Sequence, residues 1–520
     1  MPTYSDYRSL MADGDRSWHD GNATIRYDYI TSSTVPGYYR DGFGYEVDNT
    51  FFSRASDLSM DGRQRAMMEQ AVARWDEVAN INLVRGGGSR ADIAIGSADF
   101  GNDGLYGFAY YPSEFALGNY PSFSGDVWIN NGFDQQYIPG VGPIHGHSSW
   151  YTYIHELGHA LGLSHPNDDP NDPDSSSKYT VMSYLEHPSQ THESYDDGGW
   201  PVTPMVWDIQ AIQALYGVNT ETRSDATVYV GTGAGFDSAA ERAFQYDDMQ
   251  VTGEDGQARD AIFTIWDAGG TDLIDGSAMH DDAHIDLHPG AYSSLGGGED
   301  NLAVAAAVHA EGRVINLVEN AWGGRGNDVI HGNGTHNALH GNRGNDQIFG
   351  YIGDDQLHGG GGADRLHGQH GDDQLLGNYG PDRLFGNEGN DRLFGHHGND
   401  LLRGQDGADR LFGGERHDRL FGGRGNDKLA GGGGNDQLTG GQDADVFLFS
   451  RGADRVLDFD ASEGDQISLI RTQGITGFQD LTRTHLRNTT DGVLIEDARG
   501  DSLLLLAVNA EDLSADHFIF

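Results

Sequence analysis

The sequence predicts a multidomain protein, with an α/β (α+β) domain first and an all-β parallel β-roll after it. The chain has 520 residues, and its 77 glycines are concentrated in the second half. Within residues 323–448 the pattern G-G-x-G-x-D-x-U-x, with U apolar, recurs fourteen times. Repeats of this kind form parallel β-helices that bind Ca²⁺. The first half reads instead as strand, helix, strands and helix, which favours a compact mixed domain.

The elements of the first domain follow from the spacing of its apolar residues. Residues 61–80 carry apolar side chains at helical intervals, which predicts an amphipathic helix with one buried face. Near alternation of apolar and polar side chains predicts strands around residues 23–30, 92–95, 106–110 and 125–129. A loop rich in glycine and proline then leads into a second helix.

That second helix carries H-E-L-G-H-A-L-G-L-S-H, beginning at His155. Side chains at i and i+4 share a helix face, so His155 and His159 can offer two imidazoles to one ion. Gly162 permits a sharp turn that brings His165 back to the same ion. Three nitrogens with an open fourth position indicate a catalytic zinc site, and Glu156 lies where it can take a proton from a bound water. The pattern H-E-x-x-H-x-x-G-x-x-H is typical of zinc proteases, and its five fixed positions leave little room for chance.

The repeats keep an apolar residue at position eight in every copy, which a flexible glycine-rich linker would not do. Position six is aspartate except at Asn337, and these aspartates are the expected calcium ligands: Asp328, Asp346, Asp355, Asp364, Asp373, Asp382, Asp391, Asp400, Asp409, Asp418, Asp427, Asp436 and Asp445. One buried apolar side chain for nine ordered residues is too little to fold the array alone, so we expect folding to be coupled to calcium. Copies 332–340, 413–421 and 440–448 lack the glycine at position four, and weaker or missing ions are expected there.

Composition excludes several classes of partner. The net charge of −48 disfavours nucleic acid and anionic membrane surfaces, and no apolar run approaches the ~20 residues needed to span a membrane. The chain has no cysteine, so it has neither disulfides nor a thiol switch. The acidity is interpreted either as an ordinary soluble surface or as adaptation to saline surroundings, where salt screens the repulsion.

Residues 179–184 read Tyr-Thr-Val-Met-Ser-Tyr, and residues 207–217 read W-D-I-Q-A-I-Q-A-L-Y-G. With the histidine motif, these stretches closely resemble the serralysin family of metzincin zinc proteases, whose C-terminal calcium-binding repeats are of the RTX type. The resemblance implies that Met182 lies in a turn beneath the zinc and has a packing role. It also implies that Tyr184 is a displaceable zinc ligand that hydrogen-bonds the oxyanion during catalysis.

The resemblance also places the substrate on an exposed edge strand. Backbone pairing to that strand would hold an extended peptide with little side-chain selectivity, so broad specificity is expected. The matching segment is formed by Tyr106, Gly107, Phe108, Ala109 and Tyr110.

Calcium sites in the link between the domains are a further implication of the resemblance. The matching residues are Arg223, Asp225, Thr227, Asp267, Gly269 and Asp272 for one ion, with Gly270 and Glu319 for a neighbouring ion. Asp225 replaces the glycine of the family, which changes little if its backbone carbonyl is the ligand. Ordinary aspartate–glycine turns are the alternative.

These features divide the chain into five expected segments. They are a disordered leader or short propeptide at 1–16, the catalytic domain at 17–220, the calcium-binding linker and start of the roll at 221–322, the repeats at 323–448, and a β cap at 449–520. The N-terminus lacks the basic start and apolar core of a Sec signal. The last five residues resemble the family's type I secretion signal, although His517 interrupts its apolar run.

We therefore expect a secreted, monomeric zinc endopeptidase of broad specificity, with one catalytic Zn²⁺ and several structural Ca²⁺. Its expected partners are protein or peptide substrates and the type I secretion apparatus. Two alternatives stay open: a calcium-dependent surface or matrix protein with an inactive protease domain, and an enzyme of the same metal chemistry that acts on a non-peptide bond. The intact histidines and Glu156 argue against the first.

Overall fold

The computed structural model describes residues 23–31, 59–88, 91–98, 107–112, 125–130, 148–166, 176–183, 201–229, 241–243, 250–252, 258–260, 262–295, 301–310 and 313–520. The predicted leader at 1–16, Tyr106 and Tyr184 lie outside these residues. No helix in the described ranges is both long enough and apolar enough to cross a membrane.

The first domain combines a five-stranded sheet with three helices among its described residues. The strands are β1 (Ala23–Tyr29), β2 (Ile81–Arg85), β3 (Ile93–Ala98), β4 (Gly107–Ala109) and β5 (Val127–Asn130). The helices are α1 (Gly62–Val78), α2 (Ser148–Ala160) and α3 (Val206–Tyr216). The strand order is β2-β1-β3-β5-β4. Neighbouring strands are parallel except for β4, which runs antiparallel to β5 at the edge.

Helix α1 begins and packs as the sequence predicts. Asp61 is its N-cap and accepts hydrogen bonds from the backbone N–H groups of Arg63 (2.7 Å) and Gln64 (2.9 Å), which satisfies two donors that a helix start leaves open. Its apolar face is buried, and Trp75 donates its indole N–H to the carbonyl of Ile154 at 3.2 Å. This contact fixes α1 against α2, the helix that carries the histidine motif.

The second part of the chain is almost entirely β-structure. Before the repeats lie β6 (Thr227–Tyr229), β7 (Glu241–Ala243), β8 (Gln250–Thr252), β9 (Ala258–Asp260), β10 (Phe263–Ile265), β11 (Leu273–Asp275), β12 (His284–Asp286), β13 (Tyr292–Ser293), β14 (Leu302–Val304), β15 (Val308–Ala310), β16 (Arg313–Ile315) and β17 (Asn320–Trp322).

The repeats then form one strand for each nine residues. They are β18 (Val329–His331), β19 (Ala338–Arg343), β20 (Gln347–Ile352), β21 (Gln356–Gly361), β22 (Arg365–His370), β23 (Gln374–Tyr379), β24 (Arg383–Glu388), β25 (Arg392–His397), β26 (Leu401–Asp406), β27 (Arg410–Glu415), β28 (Arg419–Arg424), β29 (Lys428–Gly434), β30 (Gln437–Gln442) and β31 (Val446–Leu448).

Each repeat strand pairs in parallel with the strand two places further on, so one turn of the roll takes eighteen residues. Alternate strands therefore form two sheets, which we call the odd sheet (β19 to β29, odd numbers) and the even sheet (β20 to β30, even numbers). The position-eight side chains, such as Leu384 and Leu393, point between the sheets and are completely buried. The prediction of a mixed first domain followed by a parallel β-roll is confirmed.

The chain after the repeats continues both sheets. Its strands are β32 (Arg451–Val456), β33 (Gln466–Ser468), β34 (Leu486–Asn488), β35 (Gly492–Glu496), β36 (Ser502–Leu506) and β37 (Phe518–Ile519). It also contains short helical segments at Phe478–Asp480, Leu481–His485, Ala510–Asp512 and Ala515–His517. Strand β33 pairs with β31, and β36 pairs with β32, so these strands cover the end of the roll.

Candidate metal centre and active site

Three imidazoles converge where α2 ends. The Nε2 atom of His165 lies 3.2 Å from that of His155 and 3.0 Å from that of His159. Nitrogens bound at about 2.0–2.1 Å from one tetrahedral zinc ion are separated by roughly 3.3 Å, so this spacing fits zinc. Gly162 has φ +107° and reverses the chain after α2, as the sequence predicts. The turn is what brings His165 beside the two helical histidines.

Backbone carbonyls orient the two helical histidines. Nδ1 of His155 lies 2.7 Å from the carbonyl oxygen of Val181, and Nδ1 of His159 lies 2.7 Å from that of Leu163. Because a carbonyl only accepts, each Nδ1 carries the proton and each Nε2 keeps its lone pair for a metal. Burial lowers the pKa of His155 well below its usual value and that of His159 to about 4. Both rings are therefore held in the neutral form that binds metals.

Glu156 is buried beside the histidines. Its Oε2 atom has no hydrogen-bond partner among the described residues, and burial raises the pKa of this carboxyl to about 8. A nearby cation lowers such a pKa because it favours the charged form. The orphaned oxygen and the three nitrogens therefore fit a Zn²⁺ ion at this place.

The turn that carries Met182 lies directly under α2. A Cβ atom added to Gly158 would be 2.6 Å from the Met182 sulfur and 3.1 Å from Cζ2 of Trp75. Met182 is fully buried. Glycine is therefore required between the two helical histidines, because the methionine turn approaches the helix backbone there. The packing role expected for Met182 agrees with this position.

Sequence reasoning missed the residue that holds the methionine turn in place. Asp208 of α3 is fully buried, and its carboxylate accepts hydrogen bonds from the hydroxyl of Thr180 (2.6 Å) and the backbone N–H groups of Val181 (2.7 Å) and Met205 (2.8 Å). Burial raises its pKa to about 7, against the opposing effect of these bonds. Since the carbonyl of Val181 also contacts His155, Asp208 acts on the metal centre through one residue. A lone carboxylate in the apolar run of 206–212 was the available signal.

The predicted substrate strand is the edge strand of the sheet and lies beside Glu156. A Cβ atom at Gly107 would be 2.9 Å from Cγ of Glu156 and 2.9 Å from Cγ2 of Thr152. Phe108 and Ala109 follow in β4, and Tyr110 comes directly after it. The structure thus brings the described part of this segment to the candidate site.

The linker residues expected to bind calcium also lie close together. Asp272 Oδ1 accepts the N–H of Thr227 at 2.8 Å, and the N–H of Asp272 donates to Glu319 at 2.8 Å. Asp272 Oδ2 has no partner among the described residues, and burial with the charge of Asp267 raises the pKa of Asp272 to about 9. The backbone N–H of Gly269 donates to Asp267 at 2.9 Å.

At the other side of this cluster, a Cβ at Gly270 would be 2.6 Å from the carbonyl oxygen of Asp225. The side chain of Arg223 makes other contacts. Its guanidinium donates to the carbonyl of Trp266 and to Glu77 of α1, each at 3.0 Å. Only the backbone of Arg223 is therefore left to contribute to a calcium site, whereas its side chain joins the two domains.

The repeat aspartates form two buried ladders, one along each edge of the roll. In each ladder Oδ1 accepts the backbone N–H of the aspartate eighteen residues earlier, as Asp364 does from Asp346 at 2.9 Å. Burial raises the pKa of most of them, for example that of Asp382 to about 8. Among the described residues, no hydrogen-bond partner reaches the Oδ2 atoms of Asp346, Asp355, Asp364, Asp373, Asp382, Asp391, Asp400, Asp409, Asp418, Asp427, Asp436 and Asp445. Repeated orphaned carboxylate oxygens fit calcium, which prefers such ligands.

Asn337 differs from these aspartates because its amide is satisfied within the protein. Its Nδ2 donates to the carbonyl of Glu319 at 2.8 Å, and its Oδ1 accepts the N–H of Asn333 at 2.8 Å. A weak or absent ion in this copy stays a prediction, and this arrangement agrees with it.

Two protein families match the chain. Residues 218–484 match the family described as peptidase M10 serralysin C terminal. Residues 44–199, which include the three histidines, match the family described as matrixin.

Curated relatives match across both parts. The chain is 35% identical to a serralysin of Photorhabdus luminescens over 292 residues, 53% of each protein. It is 30% identical to the metallopeptidase AprA of Pseudomonas marginalis over 354 residues, 61% of this chain and 68% of that protein. With a serralysin of Proteus mirabilis it shares 32% identity over 336 residues, 59% of this chain and 63% of that protein. The matched part thus spans between 53% and 68% of these relatives.

Proposed function

The chain belongs to the serralysin family of M10 peptidases, and from this membership we propose that it is a secreted zinc endopeptidase. The observation that carries the proposal is the set of three Nε2 atoms beside the buried carboxylate of Glu156, whose Oε2 has no hydrogen-bond partner among the described residues. His155, His159 and His165 would hold the metal. When bound, Zn²⁺ would supply a water of pKa roughly 7 and polarise the substrate carbonyl.

The protein's own groups would carry the proton and position the substrate. Glu156 accepts a proton from the attacking water and returns it to the leaving amine, as a general base and then acid. Tyr184 donates a hydrogen bond to the oxyanion. An extended peptide pairs with β4, the edge strand of the described sheet, which lies against Glu156 through Gly107. Recognition by backbone hydrogen bonds supports broad specificity.

Calcium is proposed as the structural ion of the roll. The orphaned oxygens of the repeat aspartates and of Asp272 support this, because ions bound there would neutralise carboxylates that are otherwise buried together. Folding that depends on calcium also supports export of the unfolded chain by a type I apparatus. The chain would then fold outside the cell as a monomer.

Casein hydrolysis by the wild type and by Glu156→Gln tests the catalytic proposal. We expect the variant to lose about 10²–10⁴-fold in rate, the usual contribution of a general base, while it still binds one zinc per chain. Glu221→Gln, at an exposed site far from the histidines in sequence, is the control and should keep full activity.

Activity should disappear when zinc is removed and return when it is restored. A zinc-loaded, folded wild type that cuts no protein would contradict the proposal. Hydrolysis of a polysaccharide or ester under those conditions would then favour the non-peptide alternative, and no hydrolysis at all would favour the inactive surface protein.

A further inference from the structure

A long groove runs along the outside of the β-roll. It has a volume of about 860 Å³ and is lined by positions five to seven of six successive turns, from Asn345 to Gln437. These turns all belong to the even sheet. Neighbouring strands lie about 4.8 Å apart, so six turns span about 24 Å. This length suits an extended polymer better than a small molecule.

Three exposed arginines line the groove at position seven: Arg365, Arg383 and Arg419. No carboxylate of the described residues lies within 4 Å of their guanidinium groups, whereas Arg424 on the same sheet pairs with Asp406 at 3.2 Å. Arg365 and Arg383 are register partners in adjacent strands. Like charges at paired positions repel each other, and here the pair lies beside an open groove that an anion could occupy.

One strand lacks an arginine at position seven but carries one at another position. Leu401 stands between Arg383 and Arg419 in the register. The same strand presents Arg403 two residues further on, exposed on the outer face and 5.3 Å from the ring of Phe421. Four successive strands of the even sheet therefore each present at least one cation, three of them within the groove and Arg403 outside its lining.

The acidic residues of the groove do not cancel this charge at its surface. Asp364, Asp382, Asp400 and Asp418 are at most 2% exposed, and each turns Oδ1 to a backbone N–H of the preceding turn. The polar groups that face solvent beside the arginines include exposed carboxamides, such as those of Gln347 and Gln437. The surface thus offers spaced cations among neutral donors and acceptors.

We propose that this groove binds a linear acidic polysaccharide, in which each uronate ring carries one carboxylate and several hydroxyls. Guanidinium groups suit the carboxylates, and carboxamides suit the hydroxyls. An extended acidic peptide fits less well, because its same-face side chains are roughly 6.6 Å apart against the 4.8 Å between strands. Single-stranded nucleic acid fits less well, because the groove lining holds no Phe, Tyr or Trp on which its bases could stack. Bound in this way, the protein would be retained in an anionic matrix.

Fluorescein-labelled octagalacturonate, titrated with the calcium-loaded full-length protein at one fixed calcium concentration, tests the proposal by anisotropy. The variant R365Q/R383Q/R419Q should bind about tenfold more weakly, from the loss of three exposed ion pairs. The control R392Q/R410Q/K428Q removes three exposed charges from paired positions of the odd sheet, outside the groove, and should stay within about twofold of wild type.

Three results would overturn the proposal. They are no binding by the wild type, equal weakening by both triple variants, or equal competition by polyglutamate or single-stranded DNA of matched charge. Melting curves in calcium check that both variants fold. Casein hydrolysis should be unchanged in both, so a failure of the groove proposal is separable from a failure of the protease proposal.

Discussion

At the scale of single residues, the candidate zinc site depends on contacts that lie behind the histidines. Two backbone carbonyls fix the rings of His155 and His159, and Asp208 fixes the turn that supplies one of those carbonyls. Groups of this kind keep metal ligands in a single orientation, and their loss typically weakens metal binding by about 10–100-fold.

Asp208→Ala should therefore lower zinc affinity by about 10–100-fold although Asp208 touches no ligand directly. The substitution leaves the hydroxyl of Thr180 and two backbone N–H groups without their buried acceptor, which also lowers stability. Asp208→Asn should lose less zinc affinity and less stability, because its carbonyl oxygen can still accept the two backbone hydrogen bonds. Competition with a zinc chelator measures the zinc affinity of both variants. Equal affinity in wild type and Asp208→Ala would refute the role of Asp208 in holding the metal centre.

Gly158→Ala should destabilise the protein by about 1–3 kcal/mol, because the new methyl group would overlap the sulfur of Met182. Gly62→Ala is the matched control. It lies at the start of α1 with no atom within 4 Å of the added Cβ, and it should be neutral or stabilise by up to about 1 kcal/mol. Thermal melting by circular dichroism compares the two, and equal melting temperatures would contradict the close packing under α2.

At the scale of elements, the repeat strands bury carboxylates as regularly as they bury leucines. The position-eight side chains fill the interior, while the position-six aspartates accept backbone hydrogen bonds from the turn before. In all of them except Asp328, the second carboxylate oxygen has no hydrogen-bond partner among the described residues. Without bound cations, the stability of the folded roll is therefore lowered by its buried carboxylates rather than by poor packing.

This arrangement predicts an unusual pH dependence for the calcium-free roll. Burial raises the pKa of Asp346, Asp373 and Asp382 to about 8, against about 3.9 in an unfolded chain. A raised folded pKa means that the folded state holds protons more tightly, so its stability is greatest below pH ~4 and falls as pH rises to about 8. The melting temperature of the calcium-free protein should thus be lower at pH 8 than at pH 5.

Calcium should remove most of the loss of stability that accompanies rising pH, because the ions stabilise the charged carboxylates. Asp382→Asn should make the calcium-free protein less sensitive to pH, since one of the titrating groups is gone. Melting series at several pH values, with and without calcium, provide the measurement. A calcium-free melting temperature that rises with pH would show that the buried aspartates do not oppose folding.

At the scale of the whole molecule, the β-structure that precedes the repeats supports the segment that carries the methionine turn. Tyr292 of β13 donates its hydroxyl to the carbonyl of Lys178 at 2.6 Å, and its ring meets that of Tyr179 edge to face. Arg223 joins the linker to Glu77 of α1. The two domains are therefore in contact, and the contacts of Tyr292 are made with the segment that contains Met182.

Removal of calcium should accordingly reduce casein hydrolysis even while zinc is supplied. Dialysis into calcium-free buffer that contains zinc, followed by activity and zinc measurements, tests this coupling. Tyr292→Phe, which loses the hydrogen bond to Lys178, should need more calcium for half-maximal activity than the wild type. Full activity in protein whose roll has unfolded would show that the catalytic domain works alone.

The sequence by itself determined what depends on local or periodic spacing. The nine-residue period predicts a roll because identical units stack, and helical geometry predicts that His155 and His159 share a face. The reversal at Gly162 follows from the same kind of reasoning, since glycine alone enters that backbone region without strain. The serralysin resemblance rested on such short, contiguous motifs.

Only the tertiary structure decided which distant residues meet. The hydrogen bonds of Asp208 to the methionine turn, the contact of Gly107 with Glu156, and the pairing of Arg223 with Glu77 all join segments far apart in the chain. The groove likewise exists only because the roll aligns residues eighteen positions apart on one outer face. No local pattern encodes such contacts, because they arise from packing between elements, whose partners are fixed only when the whole chain has folded.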